Sequence, residues 1–333
     1  MNNFFKGKTI LCTGGSGSWG NELTKQLLEK NPKKIIIFSR GELAQVTMER
    51  KFQDDRIQFV IGDVRDFESV DRVCKGVDFI YHLAALKHVP VCENQPQEAI
   101  KTNINGTINL INASIRNGVK KFIDVSTDKA VSPSNLYGMT KSVGEKLTIQ
   151  ANNLTQDTDF VCIRGGNVLG SNGSVVPFFI QQIKDNNEVT ITDSTMTRYF
   201  LTLSEAISLL FQASEHSVGG ETYVMNMPSF YISDLAQVLI KYYGNNNTSI
   251  KEIGIREGEK IHEVLVSEHE SKSTYKFNDN YYVILPEIKT HRDYSHLNKN
   301  SKVNFNTFSS GDNIKNENYL YSLLDDGGFL KKE

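Results

Sequence analysis

The chain has 333 residues, 39% of them hydrophobic and 24 of them glycine, with 37 basic against 39 acidic side chains and a net charge of −2. This composition excludes a disordered, collagenous or low-complexity chain, and the length suffices for about two domains, or one large one, with a core that needs no staples. The near-balanced charge leaves no basic excess, so neither nucleic acid nor a membrane is an expected partner.

Cys12, Cys74, Cys92 and Cys162 form no C-x-x-C pair, and three of them fall at core positions of strands or helices. No disulfide framework or metal site is expected, and a reducing, cytoplasmic compartment fits. The opening MNNFFKGK runs straight into a strand without a signal-type apolar segment. No apolar run reaches the roughly 18 residues of a membrane span.

Short apolar, β-branched runs predict strands at 9–12, 35–38, 57–61, 79–82, 122–125 and 160–163. Leu23, Leu27 and Leu28 mark one helical face between the first two. Ile100, Ile104, Ile108, Ile111 and Ile115 predict one long amphipathic helix stopped by Gly118. Strand–helix alternation of this kind implies parallel β-α-β units, hence a Rossmann-like α/β fold with a doubly wound parallel sheet. Right-handed crossovers then gather the strand C-termini at one edge, where ligands bind.

After residue 165 the rhythm weakens. Helices are expected at 177–184, 233–243 and 316–323, and strands at 190–192 and 222–226. The expected division is a Rossmann domain of 1–165 plus about 194–226. A smaller α/β domain of about 166–193 and 227–333 supplies the second wall of a cleft.

The turn Thr13-Gly14-Gly15-Ser16-Gly17-Ser18-Trp19-Gly20 follows the first strand and opens the first helix. Glycines at 14, 17 and 20 permit a tight turn, close approach of a pyrophosphate to the backbone, and helix–sheet packing. The helix N-terminus then offers N–H groups to the anion. A glycine-rich turn without a ligand is the plain alternative, and the strand-before, helix-after context argues against it. The second strand ends in Ser39-Arg40, where an NAD site carries an acid. Arginine there suits a 2′-phosphate, so NADP, tightly bound and recycled, is expected ahead of NAD. Asp63, followed by Val64, can meet the adenine amino group, and Ala84 and Ala85 let a flat cofactor pass close to the backbone.

Thr127-Asp128-Lys129 ends the fifth strand, and Tyr137 and Lys141 lie four apart on one helix face. A phenol with a pKa of about 10 is too weakly acidic to act as a base at neutral pH. A neighbouring ammonium lowers that value, so Tyr137 can take a proton from a sugar hydroxyl while the carbon gives up hydride.

These motifs resemble an extended short-chain dehydrogenase/reductase, specifically the inverting UDP-N-acetylglucosamine 4,6-dehydratases of the pseudaminic acid pathway. The resemblance runs from residue 8 to about 270, through TGGSGSWG, IGDVRD, ALKHVP, STDKA, LYGMTK, GNVLGSNGSVVPFF, MTRY and IREGEKIHE. It implies oxidation at C4 of UDP-N-acetylglucosamine, loss of water across C5–C6, hydride return to C6 and reprotonation of C5 from the opposite face. The product would be the L-arabino 4-keto-6-deoxy sugar. Lys129 would be the C5 base, which requires its ammonium to lose a proton through desolvation or neighbouring cations, and Asp128 the acid toward O6. In dTDP-glucose dehydratases an Asp-Glu pair fills these roles.

The resemblance also implies a substrate set. Arg198 and Arg256 suit the diphosphate, Asn167 phosphate or sugar, and Glu259 the uridine ribose. Thr190 and Thr192 offer backbone groups to uracil, Lys87 and His88 reach toward cofactor or sugar, and Val175 belongs to the same wall. Relatives form homo-oligomers, often hexamers. Some related dehydratases are membrane-anchored and carry Met at the position of Tyr137. The chain departs from the family at Gly165, where Tyr is frequent, at Gly41 and Ala44 beside the 2′-phosphate position, and at Glu257, usually Pro. Three alternatives stay open: a dehydratase retaining C5 configuration, a UDP-sugar 4-epimerase, and a non-catalytic NADP-binding protein.

Overall fold

A computed structural model describes residues 3–171, 173–295, 297 and 301–330. Asn172, within GNVLGSNGSVVPFF, lies outside the described residues. The first half alternates β1 (Thr9–Thr13), α1 (Ser18–Leu28), β2 (Lys34–Ser39), α2 (Glu42–Phe52), β3 (Ile57–Ile61), α3 (Phe67–Cys74) and β4 (Phe79–His82). There follow α4 (Val89–Asn94), α5 (Pro96–Ile100), a π turn at Lys101–Asn105 and α6 (Gly106–Asn117). Next come β5 (Lys121–Thr127), a 3-10 turn at Asp128–Ala130, α7 (Leu136–Ala151) and β6 (Asp159–Gly165).

The second half adds β7 (Asn167–Val168), α8 (Val175–Asn186), β8 (Glu188–Ile191), β9 (Thr197–Leu201), α9 (Leu203–His216) and β10 (Thr222–Met225). It continues with β11 (Ser229–Tyr231), α10 (Ile232–Tyr243), β12 (Ser249–Glu252), β13 (Val264–Val266) and α11 (Glu268–Ser271). The chain closes with β14 (Thr274–Lys276), β15 (Tyr281–Ile284), β16 (Phe308–Ser309) and α12 (Glu317–Asp326).

The main sheet has nine strands in the order β3-β2-β1-β4-β5-β6-β10-β15-β14. Its first seven are parallel, and the last two close the edge antiparallel. This is the doubly wound order read from the strand–helix alternation, and the reversal between β1 and β4 sets the crevice at the strand C-termini. Central strands covered on both faces become near-continuous apolar runs. In β1 every residue is buried. β14 and β15, from the stretch grouped in sequence with residues 227–333, thus join the main sheet. Residues of β9 instead pair with β7 and β11 in a separate three-stranded sheet. A second core gathers Phe179, Ile183, Val189, Ile191, Leu235, Leu239, Leu320 and Leu324.

The isoleucine helix is a correction. The π turn at Lys101–Asn105 breaks its phase, and Ile100 is 40% exposed. The helix does stop at Gly118, but besides Ile111 its buried face carries Thr102, Asn103, Gly106, Thr107, Leu110, Ala113 and Ser114, mostly small groups, and lies between α3 and α7. Small side chains let helices approach closely, so the isoleucines sit mainly at the margin. All four cysteines are free and buried, including Cys92, whose Sγ lies 3.6 Å from Leu86 O. Among the described residues no helix is long and apolar enough to cross a membrane.

Candidate active site

A cleft of about 900 Å³ opens along the C-terminal ends of β1, β2, β4, β5 and β6. Its first half is built by the glycine loop. Gly14 has φ +66°, and a Cβ there would come within 2.8 Å of Ala84 backbone atoms. Glycine is therefore what lets the β1 turn meet the β4 turn. Gly17 starts α1, which has no capping side chain and no acid in its first turn, leaving its positive end for an anion. Ser16, Ser18 and Trp19 line the cleft, whereas Gly20 is buried in α1.

At the end of β2, Ser16 Oγ donates to Ser39 Oγ at 2.9 Å, and Gln45 Nε2 donates to the same hydroxyl at 2.9 Å. Arg40 is half exposed, with Nη1 4.0 Å from Asp63 Oδ2. A hydroxyl and a guanidinium at the strand end offer donors to the ribose end of a dinucleotide. Asp63 also lines the cleft, but Arg65 occupies both carboxylate oxygens, through its backbone N–H at 3.0 Å and its side chain at 2.6 and 2.8 Å. An adenine contact at Asp63 would share acceptors with Arg65. Val64, Ala84, Ala85, Lys87 and His88 complete this rim. Together the glycine turn, the bare helix end and the Ser39–Arg40 corner fit a nicotinamide dinucleotide.

The middle of the cleft is held by β5, the 3-10 turn and α7. A Cβ at Gly138 would lie 2.1 Å from Lys129 O, so only glycine after Tyr137 lets the turn dock on the start of α7. Asn135 caps that helix, its Oδ1 accepting from Gly138 N at 2.9 Å. Thr127, Lys129, Tyr137 and Lys141 all line the cleft. Thr127 Oγ1 donates to Asp128 Oδ1 at 3.0 Å, and Lys129 Nζ donates to the same oxygen at 3.0 Å. Asp128 itself is fully buried. Its Oδ2 has no hydrogen-bond partner and lies beside Gly166, which lines the cleft.

Two electrostatic expectations are corrected. Burial favours a neutral Lys129, but Asp128 and Glu263 outweigh it and hold the ammonium above its ordinary range. The resting lysine is therefore charged, because carboxylates rather than cations are its closest neighbours. Burial also raises the Tyr137 phenol. Lys141, Lys129 and a hydrogen bond with Thr127 pull it down, in the expected direction, without reversing the net rise. Lys141 is held charged by Asp124, whose Oδ1 lies 2.9 Å from Nζ, despite the burial of both. Burial lowers Lys87.

The substrate-side residues divide. Asn167 and Val175 line the cleft, as do Lys87 and His88. Arg198 does not: it is 7% exposed, and its Nη1 donates to Thr197 O at 2.7 Å and Ile261 O at 3.1 Å. It turns inward because these carbonyls and Glu263 hold it. Arg256 and Glu259 also lie off the cleft lining, 3.9 Å apart on a segment tied to the turn before α7. Ser134 Oγ and Asn135 Nδ2 donate to Gly258 O at 2.8 and 2.9 Å, and Lys260 Nζ donates to Val131 O at 2.8 Å. Thr190 and Thr192 are outside the lining as well. Gln182 occupies Thr190 N and Oγ1, and Thr192 Oγ1 contacts Met196 Sδ.

Four functional neighbours escaped the sequence reading. Glu263 lies 3.3 Å from Lys129, and Asp124 sits under Lys141. Asn103 Oδ1 accepts from Leu86 N at 2.8 Å, while its Nδ2 donates to Leu86 O and Thr140 Oγ1 at 2.9 Å each. His82 bridges Thr13 at 2.8 Å and Thr107 at 3.1 Å. Glu263 alone stood in a quoted motif, IREGEKIHE.

The fold is the Rossmann-like α/β class with a mostly parallel central sheet that solved nucleotide-sugar dehydratase structures share. Within that class the chain belongs to the polysaccharide biosynthesis protein family, which matches residues 10–285. It is 48% identical over 289 residues to the UDP-N-acetylglucosamine 4,6-dehydratase (inverting) of Campylobacter jejuni, covering 86% of this chain and 85% of that one. It is 44% identical over 269 residues to a UDP-glucose 4-epimerase of Rickettsia akari, covering 79% of each. The X-ray structure of Pen from Bacillus thuringiensis superposes with a TM-score of 0.91 at 36% identity, covering 98% of this chain and 100% of that chain.

Proposed function

We propose that this protein is a cytoplasmic UDP-N-acetylglucosamine 4,6-dehydratase that inverts C5 and uses NADP. The observation that carries the reading is the Lys129–Asp128 pair, joined at 3.0 Å at the tip of β5 and linked through Thr127 to Tyr137. A 4-epimerase needs a tyrosine and a hydroxyl to move hydride at C4. It has no use for an amine and a carboxyl that strip a proton from C5 and hydroxide from C6.

A nicotinamide dinucleotide, when bound, supplies the acceptor and later the donor of hydride. Tyr137 takes the proton of the C4 hydroxyl in its phenolate form, which the ammonium groups of Lys141 and Lys129 favour against burial. The ketone so formed acidifies C5–H. A proton passing from Lys129 Nζ to Asp128 Oδ1 turns the resting ion pair into an amine and a carboxylic acid. The amine takes the C5 proton and Asp128 gives its proton to O6, so water leaves with protons and charge in balance.

Lys87, His88 and Asn167 face the diphosphate and sugar in this reading, with Arg256 and Glu259 closing from the segment above. Residues 1–165 with 194–226 carry the cofactor, and 166–193 with 227–333 the nucleotide sugar. A homo-oligomer belongs to the same reading, supported by exposed Val91, Ile100, Met139 and Val143 on the packed helices α4, α5 and α7.

The test is incubation with UDP-N-acetylglucosamine in deuterated water, followed by mass and NMR analysis of the product. Loss of one water with deuterium at C5 and couplings of the L-arabino sugar is expected. An unchanged mass with an inverted C4 would make the protein an epimerase, the activity named for the Rickettsia akari relative. Water loss with C5 configuration kept would make it a retaining dehydratase.

A further inference from the structure

Around Lys129 stands a cluster that general base chemistry alone does not explain. Its ammonium lies between two carboxylates, 3.0 Å from Asp128 Oδ1 and 3.3 Å from Glu263 Oε1. The same Glu263 oxygen is 3.7 Å from Arg198 Nε. Glu263 is 3% exposed, and its backbone is clamped by Ser310, whose Oγ accepts from Glu263 N at 2.9 Å and whose N–H donates to Glu263 O at 2.8 Å. A buried carboxylate needs a cation, and this one stands between two.

We infer that Glu263 is a positioning residue that sets where the proton sits in the Lys129–Asp128 pair, an inference that rests on Lys129 acting as the C5 base in the reading above. With Glu263 on Lys129, two negative neighbours keep the amine protonated and aligned. With Glu263 leaning on Arg198, no charge is left alone in the interior, and Lys129 faces Asp128 only, so the proton can cross. Arg198 thus serves as the alternative partner that makes the exchange affordable inside a buried site. The other groups within electrostatic reach are Tyr137 on α7, Tyr199 on β9 and Lys260. Lys260 lies on the same segment as Glu263, and its Nζ is tied to Val131 O at 2.8 Å. That segment also carries Arg256 and Glu259, so a ligand gripping those two would act on the backbone that holds Glu263.

The full-length protein carrying [13Cε]lysine is titrated by NMR, with the Lys129 signal assigned by its loss in Lys129→Arg. In the wild type the ammonium signal should persist into alkaline pH. In Glu263→Gln it should titrate at least about one unit lower, and Glu263→Asp should restore most of the difference. Identical titrations in wild type and Glu263→Gln overturn the inference. In turnover, the acid limb of kcat for Glu263→Gln should move down in pH by a similar interval, with KM within about twofold. A uniform loss of kcat with an unmoved limb would mark a merely structural role and also overturn it. If the wild type leaves UDP-N-acetylglucosamine untouched, the functional reading falls, and the NMR titration still decides the role of Glu263.

Discussion

Lys141 Nζ lies 2.9 Å from Asp124 Oδ1, and neither side chain is more than 4% exposed. The lysine expected to stabilise a Tyr137 phenolate is thus already engaged by a buried carboxylate, whose second oxygen has no hydrogen-bond partner. Asp124 keeps Lys141 charged and so sustains its pull on the phenol. Asp124→Asn should leave Lys141 to its burial, weaken its pull on the phenol and shift the acid limb of the C4 oxidation up by about one unit. The pH dependence of reduced-nicotinamide absorbance in a single turnover reads this directly, with Tyr137→Phe giving no transient. A limb that stays in place or moves down would contradict it.

Lys129→Arg separates charge from proton transfer. Arginine keeps the cation that Asp128 and Glu263 require but does not give up its proton. The variant should melt near the wild type and bind cofactor normally, while water loss falls about 10²–10⁴-fold. Lys129→Ala should lose the product as well but also destabilise, because it leaves two buried carboxylates without their ammonium. Normal product formation by Lys129→Arg would remove Lys129 from the base role.

Arg40→Ala tests the cofactor. Trp19 is the single tryptophan of the chain and lines the cleft, so its fluorescence reports dinucleotide binding. The variant should weaken NADP about tenfold and leave NAD within about twofold, since only the 2′-phosphate meets the guanidinium. Equal weakening of both would assign Arg40 to the adenine or pyrophosphate.

Acid should destabilise the fold in two steps. Burial depresses His82 from 6.5 to about 4. The unfolded chain takes up that proton first, so the stability tied to neutral His82 is complete above pH 6.5 and lost as pH falls toward 4. Glu270 is raised by burial but pulled down further by Arg164, to about 2 from 4.5. Its contribution is complete above pH 4.5 and lost as pH falls toward 2. Urea midpoints measured from neutrality downward should show both declines, and Glu270→Gln should remove the lower one. A flat profile between 6.5 and 4 would contradict the His82 assignment.

The sequence was most legible where one physical constraint dominates. Strands buried on both faces leave apolar runs, and a turn that must reach φ +66° against a neighbouring strand leaves Gly14. Tyr137 and Lys141 declare themselves through helical spacing. Less was legible where function arises between distant residues. Nothing local to Glu263 announces Lys129, 134 positions away, and so the lysine was expected to be neutral. Asp124, through its ion pair with Lys141, and Asn103, through three hydrogen bonds to Leu86 and Thr140, act through contacts formed only on folding. One miss had a readable signal. Thr202-x-x-Glu205 is a capping box that opens α9, and its pattern stands in the chain. The isoleucine run misled for the opposite reason, since its spacing is regular and the backbone beneath it is not.

That irregularity has a use. The π turn at Lys101–Asn105 carries Asn103, whose carboxamide grips Leu86 and Thr140 at once. Deleting one residue there would let the helix fall back to its ordinary repeat, with Leu110 and Ala113 still facing the core. The widened turn that presents Asn103 would be gone, and the staple between the β4 tip and the tyrosine helix would open. The chain keeps one residue more than the helix needs at that point, and the surplus holds two walls of the cleft in register.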